Sequence, residues 1–164
     1  MSVSLYGSGN TILQVQQTVL TTQVSTSSNS FIALTGLSVS ITPLSTNSKI
    51  LVMLSISAGT GGTNYDAQFQ LAKNGSVLSG AIGTSSTTVN ATMTTVGVGQ
   101  HVQQPSINYI DSPSTTSSVT YSVLWRSQSG TTAYVNGGSN MSGTSDTTGA
   151  CNISSITVLE ISGS

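Results

Sequence analysis

Val119-Thr120-Tyr121-Ser122-Val123-Leu124-Trp125-Arg126 is the stretch from which the fold is read. Val119, Tyr121, Val123 and Trp125 alternate with Thr120, Ser122 and Arg126, and only Leu124 breaks the pattern. Successive side chains of an extended chain point to opposite faces, so a period of two sets one apolar face on a core and leaves one polar face outside. The same rhythm runs through the segment where Ala67, Phe69 and Leu71 alternate with Asp66, Gln68 and Gln70. β-Branched residues are abundant and good helix formers scarce, so no helix is expected.

Working outward, strands are predicted over 12–20, 30–35, 37–42, 49–58, 66–73, 76–82, 88–96, 106–110, 119–127, 133–136 and 153–161. Lys73-Asn74-Gly75-Ser76 is a type I′ hairpin signal, because Asn-Gly tolerates positive φ. Thr42-Pro43, Gly59–Gly62, Ser112-Pro113 and Asn136-Gly137-Gly138 are further breakers. About ten short strands punctuated in this way make an all-β antiparallel sandwich or barrel. No linker or charge run divides the chain, so residues 1–164 form one domain, with 1–11 as an N-terminal anchoring arm.

Ile50-Leu51-Val52-Met53-Leu54 departs from simple alternation: both faces are apolar. The closing segment does the same, with Ile156 and Val158 on one face and Leu159 and Ile161 on the other. A strand apolar on both faces is buried on both faces. Either these are central strands under a covering loop or, more economically, the second face meets another subunit. One set, Ile50, Val52 and Leu54 with Ile156 and Val158, then fills the core, and Leu51, Met53, Leu159 and Ile161 form the subunit contact. A one-residue slip exchanges the two sets, so their assignment stays open at this point.

Composition excludes several classes of function. Of 164 residues only 3 are Lys or Arg and 4 Asp or Glu, a net charge of −1, while Ser and Thr supply 57. Lys49, Lys73 and Arg126 are too few to neutralise a phosphate backbone or bind an anionic membrane surface. The longest apolar run, Ile50 to Leu54, is far short of a membrane helix. Met1–Leu5 carry neither the basic nor the apolar part of a secretion signal, so none is expected. One cysteine, Cys151, forms no internal disulfide.

Catalytic chemistry finds little to work with. His101 is the only histidine and lies 50 positions from Cys151, without the paired spacing of a metal site. Cys151 has no basic neighbour in sequence and reads as an inert buried thiol. Asp66, Asp111, Asp146 and Glu160 are scattered. Gly59-Thr60-Gly61-Gly62 lacks the lysine of a phosphate loop. No enzyme, catalytic residue, metal or cofactor is expected, and His101 and Cys151 are read as dispensable. Asp111, before Ser112-Pro113, reads as a turn residue accepting backbone N–H groups. Tyr121 and Trp125 read as core, and Tyr65, in a Gly-rich loop, as the exposed aromatic suited to receptor contact.

Three groups of segments, in order, carry a resemblance over nearly the whole chain. The first is Ile12-Leu13-Gln14-Val15 leading to Phe31, Thr35-Gly36-Leu37-Ser38-Val39-Ser40-Ile41-Thr42-Pro43 and Ser48-Lys49-Ile50-Leu51-Val52-Met53. The second is Tyr109-Ile110-Asp111-Ser112-Pro113 with Thr120-Tyr121-Ser122-Val123. The third is Thr132-Ala133-Tyr134-Val135-Asn136 with Ser155-Ile156-Thr157-Val158-Leu159-Glu160-Ile161. Together they resemble a module of tailed bacteriophages, the tail-fibre or virion structural type; Gly80 to Gln104 matches no part of it. The resemblance implies a non-enzymatic virion protein, outside the cell. It further implies a jelly roll that trimerises like tumour-necrosis-factor and complement-type heads. Its partners would be its own copies and other capsid or tail proteins. The chain shows no shaft, which favours capsid decoration or a short tail appendage over a long fibre. A receptor- or glycan-binding module for host attachment is the alternative, since one fold hosts both.

Overall fold

A computed structural model describes residues 11–61, 66–84, 92–97, 102–128, 130–137 and 152–163. The sequence readings of Tyr65, His101, Asp146, Cys151 and the arm up to residue 10 lie outside these residues. The described chain is all-β and sandwich-like. In order it forms β1 (Ile12–Leu20), β2 (Val24–Thr26), β3 (Ile32–Ile41), β4 (Lys49–Ser55), β5 (Ala58–Thr60) and β6 (Asp66–Lys73). β7 (Ser76–Val77), a 3-10 turn over Ser79–Ala81, β8 (Thr94–Gly97), β9 (Ser106–Asp111), β10 (Val119–Ser127), β11 (Ala133–Val135) and β12 (Ser154–Ile161) follow.

The strands make three antiparallel sheets. One has the order β1-β12-β4-β9; the second has β3-β10-β6, with β7 and β8 both on the far side of β6; the third is the small β2-β11-β5. The first and last strands are therefore neighbours, and Thr11 and Ser162 tie their ends: Thr11 N donates to Ser162 Oγ at 2.8 Å and Ser162 N to Thr11 O at 2.8 Å.

One core lies between the inner faces of the two larger sheets. Ile50, Val52, Leu54, Ile156 and Val158 come from the four-stranded sheet; Val39, Ile41, Phe69, Leu71, Val119, Tyr121, Val123 and Trp125 come from the five-stranded one. Phe69 and Trp125, paired across β6 and β10, stack with ring centroids 6.2 Å apart. The alternation in β10 is complete: each of Val119, Tyr121, Val123 and Trp125 is buried, and Leu124 takes the outer face opposite Ala33 and Gln70.

Several expectations need correction. Two strands were predicted on either side of Gly36, but β3 is continuous. Gly36 sits at φ +86, where an added Cβ would meet Leu20 Cδ1 at 2.9 Å. The register against β10 shifts between Ser122 and Leu124, so a bulge absorbs the broken period. The single strand predicted over 49–58 is two strands in different sheets, β4 and β5. β2 was not foreseen, and with β11 and β5 it builds a third sheet that a two-sheet picture lacks. Asn136 secures that sheet: at φ 63 and fully buried, it donates from Nδ2 to Leu20 O (2.7 Å) and Thr22 O (3.0 Å), and accepts from Ser154 Oγ (2.6 Å). The I′ hairpin is as read, with Asn74 at φ 51 and Gly75 at φ 81.

Candidate functional site: the outer face of the four-stranded sheet

β4 and β12 send side chains alternately inward and outward. Ile50, Val52 and Leu54 are buried inside, while Leu51 is half-buried and Met53 is 42% exposed outside. In β12, Ile156, Val158 and Glu160 face in, and Leu159 and Ile161 are half-buried on the outer face. Leu51, Met53, Leu159 and Ile161 therefore share one surface. Register places Leu51 directly across from Leu159, Met53 across from Thr157, and Ile161 between Lys49 and Ile12.

The two outer strands complete this surface with residues that sequence reasoning missed. Val15 of β1 pairs with Leu159, and Ile110 of β9 pairs with Leu51. One aliphatic row, Val15–Leu159–Leu51–Ile110, thus crosses all four strands, with its ends 52% and 58% exposed. β1 inverts the usual polarity: Val15 and Val19 point outward with Leu159, while Gln14 and Gln16, opposite Glu160 and Val158, take the core side. Adjacent apolar residues such as Tyr109-Ile110 were the available signal, since one of any such pair must face away from the core.

Beside the row lies a shallow depression of about 220 Å³, lined by Met53, Ser55, Ser106, Asn108, Ser155 and Thr157. Gln17 Nε2 donates to Thr157 Oγ1 at 2.8 Å at its margin. Lys49, bonded through Nζ to Ser112 Oγ at 2.8 Å, borders the surface. Among the described residues no carboxylate lies on this face. An uncharged aliphatic row framed by hydroxyls and amides suits another protein surface.

Two carboxylates lie on the inner side of the same sheet, in the row Gln14–Glu160–Ile50–Asp111. Glu160 is fully buried in β12. It accepts from Gln14 Nε2 and from Leu44 N at 2.7 Å, which fastens the β3–β4 loop to the sheet. Burial pushes its carboxyl up, but the hydrogen bonds it accepts, those from Gln14 Nε2 and Leu44 N among them, prevail and hold it below its ordinary 4.5. Asp111 is not the backbone-bonded turn residue of the sequence reading. Its Oδ2 accepts from Lys73 Nζ at 2.8 Å and Tyr121 OH at 2.7 Å, both from the other sheet. Burial first, then the hydrogen bond and charge of Asp111, raise the Tyr121 hydroxyl far above its ordinary 10.0. The cluster is a clasp between sheets, and its phenol is held as a neutral donor.

No protein-family model and no curated protein matches this chain.

Proposed function

We propose that this protein is a non-enzymatic structural component of a bacteriophage virion. In this reading it is a jelly-roll module that assembles as a homotrimer, decorating or cementing the capsid or forming a short tail appendage. The aliphatic row Val15–Leu159–Leu51–Ile110 carries the proposal. Such a row left in water invites uncontrolled association, and a closed cyclic assembly covers it while stopping growth. The connectivity supports the jelly roll: β1, β4, β9 and β12 belong to one sheet and β3, β6 and β10 to the other, so the chain crosses repeatedly between sheets. The number three and the virion setting rest on the ordered resemblance to tailed-phage modules. Light scattering on the purified chain tests the assembly: the expected mass is three times the 16.6 kDa of one chain. A stable monomer at micromolar concentration refutes it. Copy number in a purified particle then separates capsid from tail, hundreds against a dozen or fewer.

A further inference from the structure

The chain has one arginine, and it lies on the other outer face, that of the five-stranded sheet. The Arg126 guanidinium stands over the Phe31 ring, 5.8 Å from its centroid, within reach of a cation–π contact. Its Nε is shut away from water and has no hydrogen-bond partner. Among the described residues the one ion pair is Lys73–Asp111, so Arg126 is not ion-paired with a described carboxylate. Register sets Gln68 beside Arg126 and Thr95 beyond Gln68. Asp66, two residues before Gln68 on β6, lies diagonal to Arg126 on the same face. A guanidinium oriented by a ring and partly stripped of water suits a planar acceptor that its two Nη groups can engage bidentately.

We infer that Arg126, Phe31 and Asp66 form a binding site for an acidic sugar, with the sugar carboxylate on the Nη pair and a sugar hydroxyl donating to Asp66. The negative Asp66 disfavours a bare carboxylate but accepts hydroxyl donors, which an acidic sugar supplies together with its anion. Leu124 is the next outer-face residue along β10, and beyond it Ser122 and Thr120 continue the face with hydroxyls. The site is separate from the proposed subunit contact and stands or falls without it.

A single arginine gives a single Nε–H resonance, so heteronuclear NMR reads the site directly. The full-length protein is titrated with the methyl glycosides of glucuronic and N-acetylneuraminic acid, with methyl glucoside as the neutral control and acetate as the bare anion. Acidic glycosides should shift the Arg126 signal saturably and methyl glucoside should not. Arg126→Lys, followed through the Gln68 amide, should weaken binding at least about tenfold with the fold unchanged. Asp66→Asn should weaken the acidic glycosides while improving acetate, and Phe31→Leu supplies a second variant if Arg126→Lys does not fold. No saturable shift with either acidic glycoside overturns the inference, as does an equal response to methyl glucoside. Acetate binding as tightly as the glycosides overturns the sugar assignment and leaves only an anion site.

Discussion

Across the outer face of the four-stranded sheet one register row reads Val15, Leu159, Leu51, Ile110. Across the outer face of the five-stranded sheet the rows read Ser40–Thr120, then Ser38–Ser122–Ala72–Val77, then Ala33–Leu124–Gln70, then Arg126–Gln68–Thr95, mostly polar with Leu124 and Val77 as its larger aliphatic members. Apart from the Gln14–Glu160–Asp111 row and Gln16, the inner faces of both sheets are mainly aliphatic and aromatic, because they share one core. Burial against that core dictates only half of each strand. The outward half is free to follow whatever lies beyond it, and under the proposed assembly the contrast between the two outer faces follows from a contrast in surroundings: protein on one side, water or a polar ligand on the other. β1 makes the point most sharply, since its Val15 and Val19 turn away from the core and its Gln14 and Gln16 toward it.

The strongest way to break this comparison is a charge placed on each face. Leu159→Asp should dissociate the assembly, because an unpaired charge in a buried contact costs several kcal/mol. Ser122→Asp, at a central strand of the other sheet, should leave the mass unchanged. Sedimentation with circular dichroism as the fold check decides; Met53→Asp, at a more exposed position, serves if Leu159→Asp does not fold. A Leu159→Asp protein that keeps its oligomeric mass removes the distinction between the faces.

A gentler substitution sharpens it. Leu51→Ser gives the four-stranded sheet the surface chemistry of its counterpart and should weaken association by about 2 kcal/mol per contact, from the apolar area no longer buried. The trimer dissociation curve should move to higher concentration, and the fold should persist because Leu51 is not in the core. Ser122→Val, the reverse exchange, should not create a new oligomer.

How far the sequence reaches can be judged from the same residues. Alternation placed Val119, Tyr121, Val123 and Trp125 in the core, and double-faced strands singled out Leu51, Met53, Leu159 and Ile161, which do share one face. Val15 and Ile110 were missed because their membership depends on which strand lies beside which, and cross-strand pairing over long separations leaves no local mark. The bulge at Gly36 disguised one strand as two. Asp111 was misread because its partners, Lys73 and Tyr121, come from the opposite sheet. The stacking of Arg126 on Phe31 is equally a product of pairing, one step beyond Ile32 opposite Trp125.

The two sheets also differ in where pH acts. Glu160, in the four-stranded sheet, has its carboxyl lowered from 4.5, so its contribution is complete above that value and fades as pH falls through the lower folded value. Tyr121, in the five-stranded sheet, is raised above 10.0, so its contribution is complete below that value and fades as pH rises beyond it. Denaturant midpoints across pH should therefore show a Glu160→Gln protein with a flatter acid limb and a Tyr121→Phe protein with a flatter alkaline limb. Interchanged limbs would contradict the assignments.

The smallest effect belongs to the polar face itself. Ser40 and Thr120 are a cross-strand pair whose hydroxyl oxygens lie 2.7 Å apart, exposed to solvent. Water competes for both groups, so the bond in the folded state replaces bonds of nearly equal strength in the unfolded chain, and little net stability remains. A double-mutant cycle with Ser40→Ala and Thr120→Val should give a coupling below about 1 kcal/mol, with every variant retaining the parent mass. The same cycle at Val15 and Leu159, each truncated to Ala, samples a pair that the proposed contact seals from water. Its coupling should be larger and should fall when the protein is diluted below its association range, because only the assembled state dries that face. Equal couplings at the two pairs, independent of concentration, would mean that both outer faces meet the same solvent.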